Sequence, residues 1–260
     1  TIEPYLQNAT INSINILWET DLDTDSIIEW GESIFLLNTT QGYSFTSYGN
    51  AQIHTVGLIN LLPDTKYYYR VLYGEYSSDT YNFKTPPESS SENSFRIVAM
   101  SDMQRDSSNP NKFYEIIHDG IIDYVSNQYS DDLSEELAMV LVPGDLVDNG
   151  NSYYQWGDQY FEPAQALFSY VPSYPVFGNH EQDTDYFIKY FHLPENGTPG
   201  YDEHWYYSDY SNLRIIGLDS NSGYRIQEQL DWLENVLLDA CYNEDIDFVF
   251  AQLHHPYKSE

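Results

Sequence analysis

The chain has 260 residues, of which 41% are hydrophobic, enough for two ordinary domains that each bury a core. Its 41 Asp and Glu residues against 10 Lys and Arg residues give a formal net charge of −31. Such a charge repels polyanions, which argues against nucleic acid or an anionic membrane surface as a partner. No apolar run reaches the roughly 20 residues that a membrane-spanning helix needs. We therefore expect a soluble protein that binds no nucleic acid and inserts into no membrane.

The first 86 residues have the pattern of a β-sandwich. Short β-branched and aromatic segments such as INSINILWET, AQIHTVGL and KYYYRVLYG are separated by Asp, Gly and Asn turns, as in antiparallel sheets. The stretch LINLLPDTKYYYRV has the L-x-P-x-T-x-Y spacing of a tyrosine corner ending at Tyr67, and Trp18 fits a buried tryptophan on an early strand. This predicts an all-β, fibronectin type III-like domain over residues 1–86.

The pattern changes after the segment TPPESSSENS. Residues 87–94 contain no apolar anchor and indicate an inter-domain linker. From residue 95 onward, helix-like segments alternate with five strand-like runs, FRIVAM, LAMVLVPGD, SYPVFGNHE, LRIIGLDS and DFVFAQLHH. This alternation predicts an α/β domain over residues 95–260, with central mixed β-sheets flanked by helices.

Several local features of this second domain are also predicted. FRIVAM is expected to be a buried strand, and YYQWGDQYFEPAQALFSY a pair of helices. RIQEQLDWLENVLLDACY is expected to be a helix that turns Ile226, Leu230, Leu233 and Leu237 inward. Cys241 is the single cysteine, which excludes an internal disulfide, and we expect it to be buried.

Polar side chains follow four of the predicted strands at the point where each strand ends. They are Asp102 and Gln104, then Asp145 and Asp148, then Asn179, His180 and Glu181, and finally His254 and His255. Ligands of open α/β sheets bind at the carboxyl ends of strands, so these groups should converge. Oxygen and imidazole donors suit Zn, Mn or Fe, and a pair of such ions can polarise a phosphoryl oxygen and acidify a water. The sequence therefore predicts a centre for two metal ions.

The order of these motifs resembles a known family. D-x-Q at Asp102, GDLVD at Asp145, GNHE at Asn179 and H-x-P at His254 look like the calcineurin-like metallophosphoesterase superfamily. The fibronectin-like first domain looks like the purple acid phosphatase branch of that superfamily, and the resemblance extends over nearly the whole chain. It implies a hydrolase of the phosphatase class that cleaves phosphate monoesters with a metal-bound hydroxide.

The resemblance also implies a role for each matching position. Asp102 would bind the first metal ion and Asp145 would bridge both ions. Asn179, through its amide oxygen, and His254 would bind the second ion. Gln104 stands where many family members have a metal-binding histidine, and because an amide oxygen is the poorer ligand, the first site would be weaker.

Two further residues would act on the substrate. His180 would be the general acid or charge stabiliser, and Asp148 would be the carboxylate that favours its protonated form. Purple acid phosphatases carry the tyrosinate that colours their iron at the position of Asp148. We therefore predict a protein without an Fe(III)–tyrosinate band, and an intense visible absorption of the iron-loaded protein would contradict this.

A final G-H-x-H motif of the family is absent from the 260 residues, so the sequence indicates a domain that is incomplete at its C-terminus. This absence and Gln104 favour an alternative function, a non-catalytic extracellular binding or structural protein with a degenerate phosphatase fold. The two-domain resemblance and the start at Thr1 favour an extracellular or periplasmic location. His54, His118, His192 and His204 are expected to be ordinary surface or half-buried residues, and His255 is not expected to bind metal.

Overall fold

The computed structural model describes residues 1–201 and 203–256. Nine strands make up the N-terminal domain, in the order β1 (Ile2–Thr10), β2 (Ser13–Thr20), β3 (Ile27–Gly31), β4 (Asn38–Gln41), β5 (Tyr43–Thr46), β6 (Gln52–Ile59), β7 (Lys66–Tyr73), β8 (Tyr76–Ser77) and β9 (Tyr81–Lys84). One sheet has the order β1-β2-β6-β5 and the other β4-β3-β7-β8, with β9 also paired to β7. All of these pairings are antiparallel. The predicted all-β sandwich is confirmed.

The alternating side chains of the two sheets explain the sandwich core. Trp18 and Tyr69 are among its largest fully buried side chains, and both pack in one cluster with Phe83. The hydroxyl of Tyr67 accepts a hydrogen bond of 2.9 Å from the backbone N–H of Leu62, five residues upstream. This is the contact that a tyrosine corner makes.

His54 is fully buried, so the expectation of an ordinary surface or half-buried histidine is wrong at this position. Its ring stacks on Trp18 with a centroid distance of 4.9 Å, and its two nitrogens lie 2.9 Å from the hydroxyls of Thr20 and Ser26. These two hydroxyls satisfy a neutral imidazole. Burial lowers the pKa of His54 from 6.5 to about 4, and the nearby charge of Asp23 opposes this only weakly.

This buried histidine predicts a loss of stability in mild acid. The unfolded chain binds the proton first because its histidine pKa of 6.5 is the higher one, so stability falls as the pH drops through 6.5 towards 4. Linkage predicts that His54 lowers the free energy of unfolding by about 2.5 kcal/mol at pH 4.5 relative to neutral pH. Urea unfolding at pH 7 and pH 4.5 should show a steeper decline for the wild type than for His54→Asn. An equal decline of the unfolding free energy in both proteins would contradict a buried, neutral His54.

The described part of the C-terminal domain contains six strands in two sheets. They are β10 (Ile97–Ala99), β11 (Met139–Val142), β12 (Ser173–Pro175), β13 (Tyr206–Tyr210), β14 (Leu213–Gly217) and β15 (Phe248–Gln252). The first three form a parallel sheet in sequence order, and in the second sheet β14 pairs antiparallel with β13 and parallel with β15. The predicted α/β domain with central mixed sheets is therefore confirmed.

The helices of this domain flank the sheets. Helix α1 (Lys112–Glu115) continues through a π-helical segment (Ile116–Ile122) into α2 (Asp123–Gln128). Helix α4 (Tyr153–Gln155) likewise continues through a second π-helical segment (Trp156–Phe161) into α5 (Glu162–Phe168). The separate helices are α3 (Leu133–Glu136), α6 (Asp185–Tyr190) and α7 (Gln227–Tyr242). None of the helices in the described ranges is long and apolar enough to span a bilayer.

Two of the local predictions differ from the structure. YYQWGDQYFEPAQALFSY forms one continuous helix over residues 153–168 rather than a pair. Its wider π-helical turns lie directly before Pro163, whose missing N–H would break a regular α-helix. FRIVAM is not a buried strand, because β10 is half-buried along Ile97 and Val98 and exposed at Ala99. Among the described residues, strand β10 lies at the edge of its sheet and pairs only with β11.

The predicted inward face of α7 is also partly wrong. Leu230 and Leu237 are 57% and 44% exposed, whereas Val236 and Ala240 are buried. Gln229 anchors the packed side, because its side-chain oxygen accepts the N–H of Asp219 at 2.9 Å. Leucines occur on more than one side of this helix, so periodicity alone could not select the packed one. Cys241, expected to be buried, is exposed.

The two domains share a continuous interface with a buried carboxylate in it. Glu19 of the sandwich accepts hydrogen bonds from the hydroxyls of Tyr153 and Tyr190 at 2.7 Å and 2.9 Å, and from Ser47 at 2.6 Å. The hydroxyl of Tyr5 donates to the backbone oxygen of Tyr190 at 2.6 Å. The sandwich therefore supports the helices 153–168 and 185–190, which follow the loops after β11 and β12.

Candidate metal centre

Four loops meet at the carboxyl edge of the two sheets. Asp102 follows β10, Asp145 follows β11, Asn179 follows β12 and His254 follows β15. The parallel pairing of β10, β11 and β12 places the ends of these three strands side by side. The second sheet joins them because the side-chain amide of Gln252 donates to the backbone oxygen of Tyr174 at 2.9 Å. The sequence correctly predicted this convergence.

Three side chains form a compact group of candidate metal ligands. One ligand atom from each of Asp102, Asp145 and His254 lies within 4.8 Å of the others. Nε2 of His254 is 3.3 Å from Oδ1 of Asp145 and 3.2 Å from Oδ1 of Asn179. Carboxylate, amide and imidazole donors at these distances form the donor set that Zn, Mn and Fe prefer.

The hydrogen bonds of His254 leave one ring nitrogen for the centre. Its Nδ1 lies 2.9 Å from the backbone oxygen of Pro143, which can only accept, so Nδ1 donates there and Nε2 faces Asp145. The hydrogen bond with Asp145 raises the pKa of His254 to about 9, against the effect of burial. For Asp145 burial alone would raise the pKa, but the hydrogen bonds from His254 and from the backbone N–H of His180 outweigh it and lower the pKa.

The backbone at the two aspartates is in the left-handed region. Asp102 has φ 58° and Asp145 has φ 56°, a conformation that Asp tolerates better than most residues. The adjacent loops pass so closely that a Cβ on residue 178 would lie 2.3 Å from the backbone nitrogen of Asp145. Glycine at position 178 is therefore required for the two loops to meet.

Glu181 joins the same two loops through its carboxylate. It is fully buried, and its Oε2 accepts the N–H groups of Gly178 at 2.7 Å and Asp145 at 2.9 Å. Its Oε1 accepts the N–H of Leu146 at 2.8 Å and, at 3.4 Å, that of Val147. Burial raises the pKa of Glu181, and these N–H groups oppose the shift. Glu181 thereby fixes the backbone conformation of Asp145.

His180 lies on the open side of the centre. Its Nδ1 donates to the backbone oxygen of Asp148 at 2.7 Å, while the Asp148 carboxylate is 3.8 Å from the same nitrogen. Its Nε2 is 3.8 Å from Oδ2 of Asp145. Asp148 therefore orients His180 through its main chain at closest range, a contact that the sequence could not reveal.

Comparison with known proteins identifies the family. The family described as calcineurin-like phosphoesterase matches residues 95–260, and the one described as purple acid phosphatase, N-terminal domain, matches residues 2–85. The chain belongs to the calcineurin-like phosphoesterase family. The resemblance inferred from the motifs is confirmed.

The relatives support this assignment and give the chain a context. Purple acid phosphatase 1 of Ipomoea batatas is 26% identical over 94% of this chain and 54% of its own length. Probable inactive purple acid phosphatase 24 of Arabidopsis thaliana is 28% identical over 71% of this chain and 33% of its own length. The chain spans about half the length, or less, of the curated relatives it matches.

A solved structure shows the same fold. Purple acid phosphatase PPD1 of yellow lupin superposes with a TM-score of 0.73 at 19% identity, over 95% of this chain and 50% of its own. At this identity the similarity concerns the fold alone.

Gln104, one of the predicted metal ligands, has a side-chain amide that is only partly hydrogen-bonded. Its Nε2 lies 3.4 Å from Oδ2 of Asp145, and its Oε1 is buried without a hydrogen-bond partner among the described residues. A 180° rotation of the Gln104 amide exchanges the positions of its oxygen and nitrogen and places Oε1 beside Asp145. An unpartnered oxygen at this place fits a metal ligand, which is what its position in the phosphoesterase motif predicts.

Sequence reasoning missed several residues around the phosphoesterase centre. Gln159 accepts the backbone N–H of Asp148 at 2.9 Å and that of Arg105 at 3.4 Å. His204 is half-buried, as expected, and its Nδ1 lies 2.8 Å from a carboxylate oxygen of Asp219. Only the fold brings these distant residues together, and no local motif marks them. His255 contacts Ser220 at 3.0 Å.

Proposed function

We propose that this protein is a phosphoesterase that uses two metal ions to hydrolyse phosphate monoesters. The observation that carries the proposal is the convergence of Asp102, Asp145 and His254 within 4.8 Å, at the strand ends where the family motifs lie. Asp102 and Gln104 would hold the first ion, Asn179 and His254 the second, and Asp145 would bridge them. When bound, Fe, Zn or Mn would polarise the phosphoryl group and acidify a water.

The protein's own groups would position the substrate and supply a proton. The N–H of Nδ1 in His180 is used by the main chain of Asp148, which directs Nε2 towards the centre. That nitrogen is the one that can protonate the leaving oxygen or stabilise its charge. Glu181 does not transfer this proton, although burial raises the pKa of its carboxyl, because both of its oxygens accept backbone N–H groups.

An assay of the full-length protein tests this function. With added Zn²⁺, Mn²⁺ or iron we expect hydrolysis of 4-nitrophenyl phosphate at a higher kcat/KM than that of bis(4-nitrophenyl) phosphate. A chelator should abolish the activity, and renewed metal should restore it. A rate that chelation leaves unchanged, or no hydrolysis of either ester with any of the three metals, would contradict the proposal.

The alternative is a non-catalytic extracellular binding or structural protein with this fold. Gln104 in place of the expected histidine favours it, since an amide is a weak metal ligand, and two relatives bear the name probable inactive purple acid phosphatase. The proposal also includes an extracellular or periplasmic location, which rests on the similarity to purple acid phosphatases.

A further inference from the structure

A cavity of about 390 Å³ adjoins the candidate metal centre on the side of Gln104. Its walls are the loop from Met103 to Tyr114 and one side of the helix 153–168, and Gln104 belongs to both the cavity and the centre. Most ligand sites are concave and combine apolar walls with a few placed polar groups. A phosphoester whose phosphoryl group lies at the metal centre could extend its alcohol part into this cavity.

Gln159 in this cavity is anchored at one end and free at the other. Its side chain is 8% exposed, and its Oε1 accepts the backbone N–H groups of Asp148 and Arg105. These two N–H groups fix the amide orientation, because only the oxygen can accept them. The Nε2 donors have no hydrogen-bond partner among the described residues, and the residue lines the cavity. Nε2 is not sealed from solvent, so these donors are open to water or to an acceptor on a ligand in the cavity.

The charge of the walls defines what the alcohol part can carry. Three carboxylates, those of Asp106, Asp158 and Glu162, line the cavity together with two cations, Arg105 and Lys112. Arg105 is already paired with Asp158 at 2.8 Å. Lys112 acts electrostatically on Asp106, and Glu162 forms no ion pair among the described residues. Its carboxylate therefore disfavours a second anionic group on the substrate, whereas hydroxyl groups can donate to the carboxylates and accept from Gln159.

We propose that this cavity binds the alcohol part of the phosphoester and selects an uncharged, hydroxyl-bearing group such as a sugar or polyol. The inference rests on the proposed phosphoesterase function. Gln159 is the specificity-determining donor and Glu162 the acceptor that also excludes a second anion. A site that pairs a substrate hydroxyl discriminates against an analogue lacking it, because the analogue leaves buried polar groups unpaired.

Three small substrates of similar size test the proposal on the metal-loaded full-length protein. They are glycerol 3-phosphate, propyl phosphate, which lacks the hydroxyls, and 3-phosphoglycerate, which has a carboxylate in place of the terminal hydroxymethyl group. We expect kcat/KM for glycerol 3-phosphate to exceed that for propyl phosphate about fivefold and that for 3-phosphoglycerate about threefold. Equal values, or a preference for either analogue, would contradict the proposal.

Two variants assign the effects to residues. Gln159→Glu keeps the oxygen that accepts the backbone N–H groups and removes the free donor, so the preference over propyl phosphate should be lost. Glu162→Gln removes a charge, so the preference over 3-phosphoglycerate should shrink. Glu234→Gln, at an exposed position of α7, should change neither ratio. Unchanged ratios in Gln159→Glu and Glu162→Gln overturn the inference alone. No hydrolysis of these esters or of 4-nitrophenyl phosphate overturns the proposed function, and the inference with it.

Discussion

Replacement of Asp145 by Asn should reduce the turnover of 4-nitrophenyl phosphate by more than about 100-fold. Loss of a residue that only supports a metal ligand costs about 10- to 100-fold in affinity or activity, and a bridging ligand should cost more. Asparagine preserves the shape of the side chain and can still accept the backbone N–H of His180, which Oδ1 of Asp145 accepts at 3.1 Å. The lost negative charge is therefore the main change.

The measurement is kcat/KM with saturating Mn²⁺ or Zn²⁺, together with the metal content of the variant. Asp123→Asn is a suitable control, because Asp123 is an exposed acid of α2, away from the four loops. A wild-type rate in Asp145→Asn would refute the bridging role, even if other residues still bound metal.

Glu181→Gln should destabilise the folded protein by about 3 kcal/mol and weaken metal binding. The buried carboxylate accepts N–H groups from both loops, and an amide would turn its own donors towards one pair of them. An unsatisfied buried donor costs about 1–3 kcal/mol, and hydrogen bonds to charged groups are worth about 1.5–3 kcal/mol. The left-handed backbone of Asp145 would lose its support.

Urea unfolding in the presence of a chelator measures the stability term without metal, and calorimetric titration with Zn²⁺ measures the affinity. We expect the affinity to fall about 10- to 100-fold. Glu234→Gln provides the matched exposed control. If Glu181→Gln unfolded like the wild type and bound Zn²⁺ equally well, the role of Glu181 in joining the loops would be wrong.

Much of the fold could be read from the sequence, for physical reasons that differ between the domains. Period-two alternation and the tyrosine corner specify the sandwich directly, and Trp18 and Tyr67 lie where the pattern predicts. In the α/β domain, runs bounded by Gly and Asp identified β10, β11, β12, β14 and β15 but not β13. They did not specify burial, which depends on what covers each strand, as the exposed Ala99 of β10 shows.

The candidate site could likewise be predicted only in part. Its residue types and their convergence could be predicted from the sequence, because parallel strands place their ends together. It did not show that Nδ1 of His254 is held by the main chain of Pro143, or that Gln159 supports Asp148. Main-chain acceptors and long-range amide contacts leave no pattern in neighbouring residues. The same holds for the inward side of α7, where Gln229 rather than a leucine provides the anchor.

The metal content of the purified full-length protein tests the central claim most directly. After incubation with Zn²⁺, Mn²⁺ or iron and removal of free metal, elemental analysis should find two ions per chain in the wild type and fewer in Asp145→Asn. No bound metal under any of these conditions would contradict the phosphoesterase and favour the non-catalytic protein.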